Sequence, residues 1–258
     1  MCPIIGKKAT IDHVLPKFLI FLKDEQEQQV KQTIFKKVSL ICETLGIETL
    51  SQSLMPILDE MVVSPNWRTR AESIKILSYL IKNSQPSFLN EKILKIIIEY
   101  FKDRANAVRK EGVILVLQII EQHGQNWVEK NIIPKLIPMF KSQTFLHRST
   151  ILQALEQLVP KMSSECLNKQ IFSNVFYLVQ DPVENVRMSV CIALGAMYPY
   201  IPKEKESIKK LLRNLKDDKD SDVKDMATSI FSKLKVNFAK SCNKSALNLV
   251  GKIAPNLV

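Results

Sequence analysis

Five stretches decide how this chain folds: S-P-N-W-R-T-R (Ser64–Arg70), D-R-A-N-A-V-R (Asp103–Arg109), S-Q-T-F-L-H-R (Ser142–Arg148), D-P-V-E-N-V-R (Asp181–Arg187) and D-K-D-S-D-V-K (Asp218–Lys224). Each opens on Ser or Asp and closes, six positions later, on a basic residue. With Lys31 added, the basic column reads Lys31, Arg70, Arg109, Arg148, Arg187 and Lys224, and the first five are thirty-nine residues apart. Val30, Val108, Val186 and Val223 directly precede four of them. Spacing this regular is the mark of a repeated structural unit.

Working outward from the column, each unit holds two apolar stretches of helical period. A period near forty with two helices per unit predicts an all-α, HEAT-repeat α-solenoid of about six hairpins, each with a first helix A and a second helix B. Six glycines and 7% aromatics suit helices better than twisted sheet. The expected units are 11–47, 51–84, 88–124, 127–162, 167–202 and 203–234. Residues 1–10 would be the remnant of a preceding repeat, with Thr10 as an N-cap, and 235–258 a tail that is either disordered or a short helix. Repeat one pairs Ile11–Leu22 with a helix from about Glu27 to Leu45 that carries Val30, Ile34, Val38 and Ile41. In repeat five, Val175, Phe176 and Val179 are expected on helix A. In repeat four, Pro134 and Pro138 should bend helix A or set its first turn, and Pro16, Pro56 and Pro134 share nearly one register.

Composition narrows the function. No apolar run reaches the eighteen residues of a membrane span, and Met1–Gly6 is too short for a signal-peptide core, so a soluble, cytoplasmic protein, with nuclear residence also compatible, is expected. Cys2, Cys42, Cys166, Cys191 and Cys242 are scattered and odd in number, which indicates neither a zinc site nor a disulfide framework. The formal charge of +11 raises nucleic acid as a partner. The lysines, however, alternate with acids, as in K-E-K-E-S-I-K-K from Lys203, without interleaved aromatics for stacking, and read as solvated helix surface. Three isolated histidines, no Gly-rich phosphate loop and no ligand spacing leave no catalytic residue, no metal and no cofactor to assign. His147 lacks an evident carboxylate partner and reads as a contact or cap.

In the column, Ser64, Asp103, Ser142, Asp181 and Asp218 fall at the A-to-B turns, where each is expected to cap helix B. Arg70, Arg109, Arg148, Arg187 and Lys224 are placed to reach the acid of the neighbouring repeat. That makes a structural ladder, and function must come from the residues between. Most prominent there are Trp67 and Arg68, then Phe145, Leu146 and His147; large apolar groups on an exposed turn mark a contact surface, and Trp with Arg is enriched at binding hot spots.

The stretches L-G-I-E-T-L-S-Q-S-L-M-P (Leu45–Pro56), N-W-R-T-R (Asn66–Arg70), F-L-H-R-S-T (Phe145–Thr150) and D-P-V-E-N-V-R (Asp181–Arg187) resemble, in order and spacing, the C-terminal repeats of the scaffolding A subunits of protein phosphatase 2A. The resemblance covers roughly residues 4–234. It implies a non-catalytic scaffold whose A-to-B turns bind the catalytic subunit of a serine/threonine phosphatase. It carries over contact roles to Trp67, Arg68, Leu146, His147, Pro182, Val183, Asn185, Asp220 and Asp222. Asn106 stands where the family usually has an aromatic, and this chain is basic where the family is usually acidic. The repeats that receive regulatory B-type subunits have no counterpart here, which argues against such a partner. Two other readings stay open: a nucleic-acid-binding HEAT protein using the positive surface and Trp127, and a transport-receptor-like adaptor using its B-helix face.

Overall fold

The computed structural model describes residues 2–24, 33 and 37–234. Among these, regular structure is helical, with no strand. The expected positions Val30, Lys31 and Ile34 and the tail 235–258 lie outside the described residues. The chain divides between Gly124 and Gln125 into two compact units.

The first unit holds α1 (Cys2–Ala9), α2 (Leu15–Asp24), α3 (Val38–Leu45), α4 (Ile47–Val62), α5 (Trp67–Asn83), α6 (Glu91–Phe101) and α7 (Asn106–His123). Gly46 ends α3 at φ 85° and α4 begins at the next residue; Gly124 closes α7 at φ 84°. Glycine is required there because the backbone must leave the helix through positive φ without a Cβ clash. Gly6, at φ 79°, breaks α1 in the same way. The helical run resumes at once after it, so Thr10 is not an N-cap. It is buried inside the run, and its hydroxyl donates back to the Gly6 carbonyl at 2.8 Å.

Helix α4 packs on α5, α6 on α7, and the two second helices α5 and α7 pack on each other. The seam is closed by Leu54, Leu58, Ile74, Leu77, Ile97, Phe101, Val108 and Val116, all buried. Polar links cross it as well. Ser73 Oγ lies 2.7 Å from Tyr100 Oη, Ser78 donates to Gln118 at 2.5 Å, and the Gln122 amide donates to the Ile81 and Lys82 carbonyls at the end of α5. Gln122 thus satisfies carbonyls that the last turn of a helix leaves free.

The second unit holds α8 (Gln125–Asn131), α9 (Ile133–Leu136), α10 (Phe145–Leu158), α11 (Ser164–Cys166), α12 (Ser173–Tyr177), α13 (Glu184–Met197) and α14 (Lys205–Leu215), and residues 221–234 are helical. Its first helices are segmented. Pro134 and Pro138 begin α9 and the 3-10 turn Ile137–Lys141, since a ring without an N–H cannot continue the ladder. In the fifth repeat a π-turn (Leu167–Phe172), α12 and a 3-10 turn (Leu178–Gln180) follow one another. These changes of pitch rotate the apolar stripe. Val175 and Leu178 are buried, while Phe176 stands exposed.

The second helices are regular by contrast. Across the chain they start at Trp67, Asn106, Phe145 and Glu184, thirty-nine residues apart. Within the second unit α10 packs along α13. Gly195 in α13 allows a close approach: a Cβ there would lie 2.7 Å from Ile230 Cγ2. Glycine to alanine in mid-helix ordinarily stabilises by about 1 kcal/mol. Here the clash with a stiff β-branched side chain outweighs that gain. Gly195→Ala is expected to lower stability by about 1–2 kcal/mol, read as a lower urea midpoint at unchanged slope.

Buried cysteines in this unit behave as small hydrophobes. Burial pushes the Cys166 and Cys191 thiols up to about 12, out of the reactive range.

Candidate docking surface on the intra-repeat turns

Each A-to-B turn is built by the first and last residues of its seven-residue stretch. The leading Ser or Asp accepts the backbone N–H two residues on: Ser64 from Asn66 at 3.3 Å, Asp103 from Ala105 at 2.7 Å, Ser142 from Thr144 at 3.2 Å, Asp181 from Val183 at 3.0 Å and Asp218 from Asp220 at 2.9 Å. These are short side-chain-to-backbone turns, one step before the helix, rather than the helix caps expected from sequence. Asn66 is the side-chain cap of α5, accepting from Arg68 N at 3.0 Å. The residues preceding α7, α10 and α13 make no side-chain cap bond.

The arginine closing each stretch reaches back over its own turn. Arg70 Nη1 donates to the Ser64 and Pro65 carbonyls, and Arg109, Arg148 and Arg187 do the same at their turns, with distances of 2.7–3.3 Å. The other edge of the guanidinium points forward. Arg70 forks onto Asp103 at 2.5 and 2.8 Å, Arg148 onto Asp181 at 2.6 and 2.9 Å, and Arg187 onto Asp218 at 2.8 Å twice. A planar guanidinium can bond carbonyls on one side and a carboxylate on the other, which a lysine ammonium cannot match. Lys224 is exposed accordingly. Arg109, whose successor in the column is Ser142, turns Nη2 to Asn106 Oδ1 at 3.3 Å. Burial lowers its pKa, partly offset by Asp103.

These pairs are shielded: the Arg187 and Asp218 side chains are 5% and 9% exposed. The hydrogen bond from Arg187 holds the Asp218 carboxyl below its ordinary range. At Asp103 burial acts to raise the pKa, and the bonds from Arg70 and Ala105 N–H outweigh it, so the net direction is again down. A depressed folded-state pKa means that the stabilisation is complete above the unfolded carboxylate value of about 3.9 and disappears as pH falls through the folded value. Urea midpoints are therefore expected to hold steady down to about pH 5 and drop below about pH 4. Asp218→Asn should shrink that acid-side drop.

Between these anchors lie the residues that face outward. Trp67 opens α5 and is 39% exposed, and the Arg68 guanidinium stands over its ring at 4.6 Å from the centroid. Stacking at an exposed site favours this arrangement by about 0.5–1 kcal/mol and so biases both side chains before any partner arrives. Leu146 and His147 are half-buried, and His147 Nδ1 sits 2.9 Å from Ser142 Oγ. Pro182 and Asn185 are exposed and Val183 is half-buried. Asp222 is exposed, whereas Asp220 is half-buried and occupied: its Oδ1 accepts the N–H groups of Asp222 and Val223, capping the helix 221–234. The structure thus joins Ser64, Arg70 and Asp103 in one cluster, and Ser142, Arg148, Asp181, Arg187 and Asp218 in another. Trp67 and Arg68 form a stacked pair at the edge of the first.

Two features escaped the sequence. The backward bonds from each arginine to carbonyls five and six residues earlier were not anticipated, although the fixed six-residue interval is their signal. The exposed pair Phe176 and Tyr177 was hidden by the π-turn before it. Among the described residues, no group of three His, Cys, Asp or Glu side chains could hold a metal ion, and no helix is long and apolar enough to cross a membrane.

Comparison with known proteins agrees with this architecture. A family model described as HEAT repeats matches residues 129–230. The regulatory A subunit of protein phosphatase PP2A from Schizosaccharomyces pombe is 32% identical over 72 residues, which is 28% of this chain and 12% of that protein. Its namesake in Saccharomyces cerevisiae is 28% identical over 117 residues, 42% of this chain and 18% of that protein. The chain therefore spans less than a fifth of either relative. Among solved structures, a mutant form of Kap121p superposes with a TM-score of 0.51, and Kap121p bound to Pho4p with 0.50; each is 18% identical and covers 84% of this chain and 24% of the other. That likeness is one of fold. The fold is an all-α HEAT-repeat array, and the proteins resembled in sequence are regulatory subunits rather than enzymes.

Proposed function

We propose that this HEAT-repeat chain, similar over part of its length to the regulatory A subunits of phosphatase 2A, is a non-catalytic scaffold for the catalytic subunit of a 2A-type serine/threonine phosphatase. The observation that carries the reading is the stacked Trp67–Arg68 pair, exposed at the start of α5. An indole that is 39% exposed and stacked with a guanidinium offers apolar area at low entropic cost, and the guanidinium offers charge to an acidic neighbour. On the second unit, taken by itself, the turns offer Leu146, His147, Pro182, Val183 and Asn185 as contacts. Asp222 is the exposed acid of the last turn, while Asp220 serves as a cap.

The direct test is to mix the full chain with purified 2A-type catalytic subunit, following complex formation by analytical gel filtration and light scattering. A one-to-one complex at micromolar concentration is expected. Separate elution at that concentration would reject the scaffold reading.

A further inference from the structure

The second unit carries a groove of about 970 Å³ between the C-terminal ends of the first helices of repeats four, five and six. A smaller concavity of about 420 Å³ shares Gln180, Asp181, Pro182 and Asn214 with it and extends to Lys219. The groove wall is more apolar than polar, and two neighbouring aromatics on it, Phe176 and Tyr177, are 55% and 67% exposed. Adjacent aromatics held open to water are unfavourable unless something covers them.

The charge of the lining says what. Arg148 with Asp181, and Arg187 with Asp218, neutralise each other through their forks. That leaves Lys141 from repeat four and Lys219 from repeat six, both exposed, as the net charge of the lining. At each turn the negative end of a first helix lies beside the positive start of a second, so the helix dipoles offset one another and the lysines set the sign. Gln143 and Asn214 add amides that can both donate to and accept from a peptide backbone. Two cations are too few to hold a nucleic-acid backbone by phosphate neutralisation.

We infer that this groove receives an extended segment of a partner protein that alternates acidic with aromatic or leucine side chains. Phe176 and Tyr177 take the apolar side chains, Lys141 and Lys219 the carboxylates, and Gln143 and Asn214 the backbone. An extended chain advances about 3.3 Å per residue and helical layers lie about 8–10 Å apart, so three repeats match a segment of about nine residues. The inference does not rest on the phosphatase reading: none of these six residues belongs to the turn contacts proposed above, and of those contacts Pro182 also lines the groove.

The test uses the full chain and a fluorescein-labelled peptide of about nine residues alternating Glu with Leu and Phe, beside its twin with Lys for Glu, in fluorescence anisotropy. The acidic peptide is expected to bind about tenfold or more tighter than the basic one, a step of at least about 1.4 kcal/mol. Phe176→Ser with Tyr177→Ser should weaken it at least as much, and Lys141→Glu with Lys219→Glu should reverse the preference between the twins. Trp67→Ala with Arg68→Ala should leave it unchanged. All four groove positions are exposed, and circular dichroism verifies each fold. Equal affinity for the twins, indifference to both groove variants, or no saturable binding up to about 1 mM would overturn the inference. So would displacement of the peptide by a single-stranded oligonucleotide.

Discussion

Replacing Arg187 by alanine is expected to destabilise the chain by about 3–5 kcal/mol, the range for removing one partner of a buried ion pair. The loss has three parts. The Asp218 carboxylate keeps the Asp220 N–H but loses two charge-assisted bonds, the Asp181 and Pro182 carbonyls lose their donor, and the shielded side-chain volume is left unfilled. A substitution by lysine should recover only part of the stability, because an ammonium cannot serve two carbonyls and a carboxylate in one plane. Removing both partners, Arg187→Ala with Asp218→Ala, should cost less than the two single changes added together, since no charge is then stranded. Urea denaturation of the parent chain and these four variants decides the matter. A loss below about 1 kcal/mol for Arg187→Ala would mean that the fork is dispensable.

The second large effect concerns binding. Trp67→Ala with Arg68→Ala is expected to weaken the complex with a 2A-type catalytic subunit by about a hundredfold or more, equivalent to about 2.7 kcal/mol and within the range of hot-spot residues. Both side chains are exposed, and the N-cap bond of Asn66 to the backbone N–H at 68 does not depend on either. Helical circular dichroism and the urea midpoint should therefore stay where they are. Separating the two also informs: Trp67→Phe keeps an aromatic platform and should cost less than Trp67→Ala, and Arg68→Lys keeps the charge with a weaker stack. Calorimetric titration supplies the constants. Undiminished affinity in the double variant would move the contact elsewhere on the array.

The column was legible because its chemistry tolerates few substitutes. Of the two residue types that open the stretches, Asp carries a carboxylate for a guanidinium and Ser does not, so pairing of the basic column with Asp103, Asp181 and Asp218 was legible. The hairpins followed from the period and its two apolar helical stretches per unit. Thr10 was misread because a threonine before an apolar run looks the same whether it starts a helix or sits within one; the positive φ of Gly6 made the difference. The exposure of Phe176 was not legible for another reason. Helical period assumes one pitch, and the passage from π to α to 3-10 between Leu167 and Gln180 breaks that assumption. The groove had no sequence signature because its walls come from three separate helices, each ordinary alone. Partner contacts were legible only as unusual residue types on turns, above all Trp67.

In the second unit, Asp181 lends its carboxylate to Arg148 and its carbonyl to Arg187, which in turn grips Asp218. The three consecutive turns are therefore strung on one polar thread and give way as a block instead of fraying singly. Hydrogen exchange of their amides should collapse into a single opening event, so that grasping any one turn stiffens its neighbours.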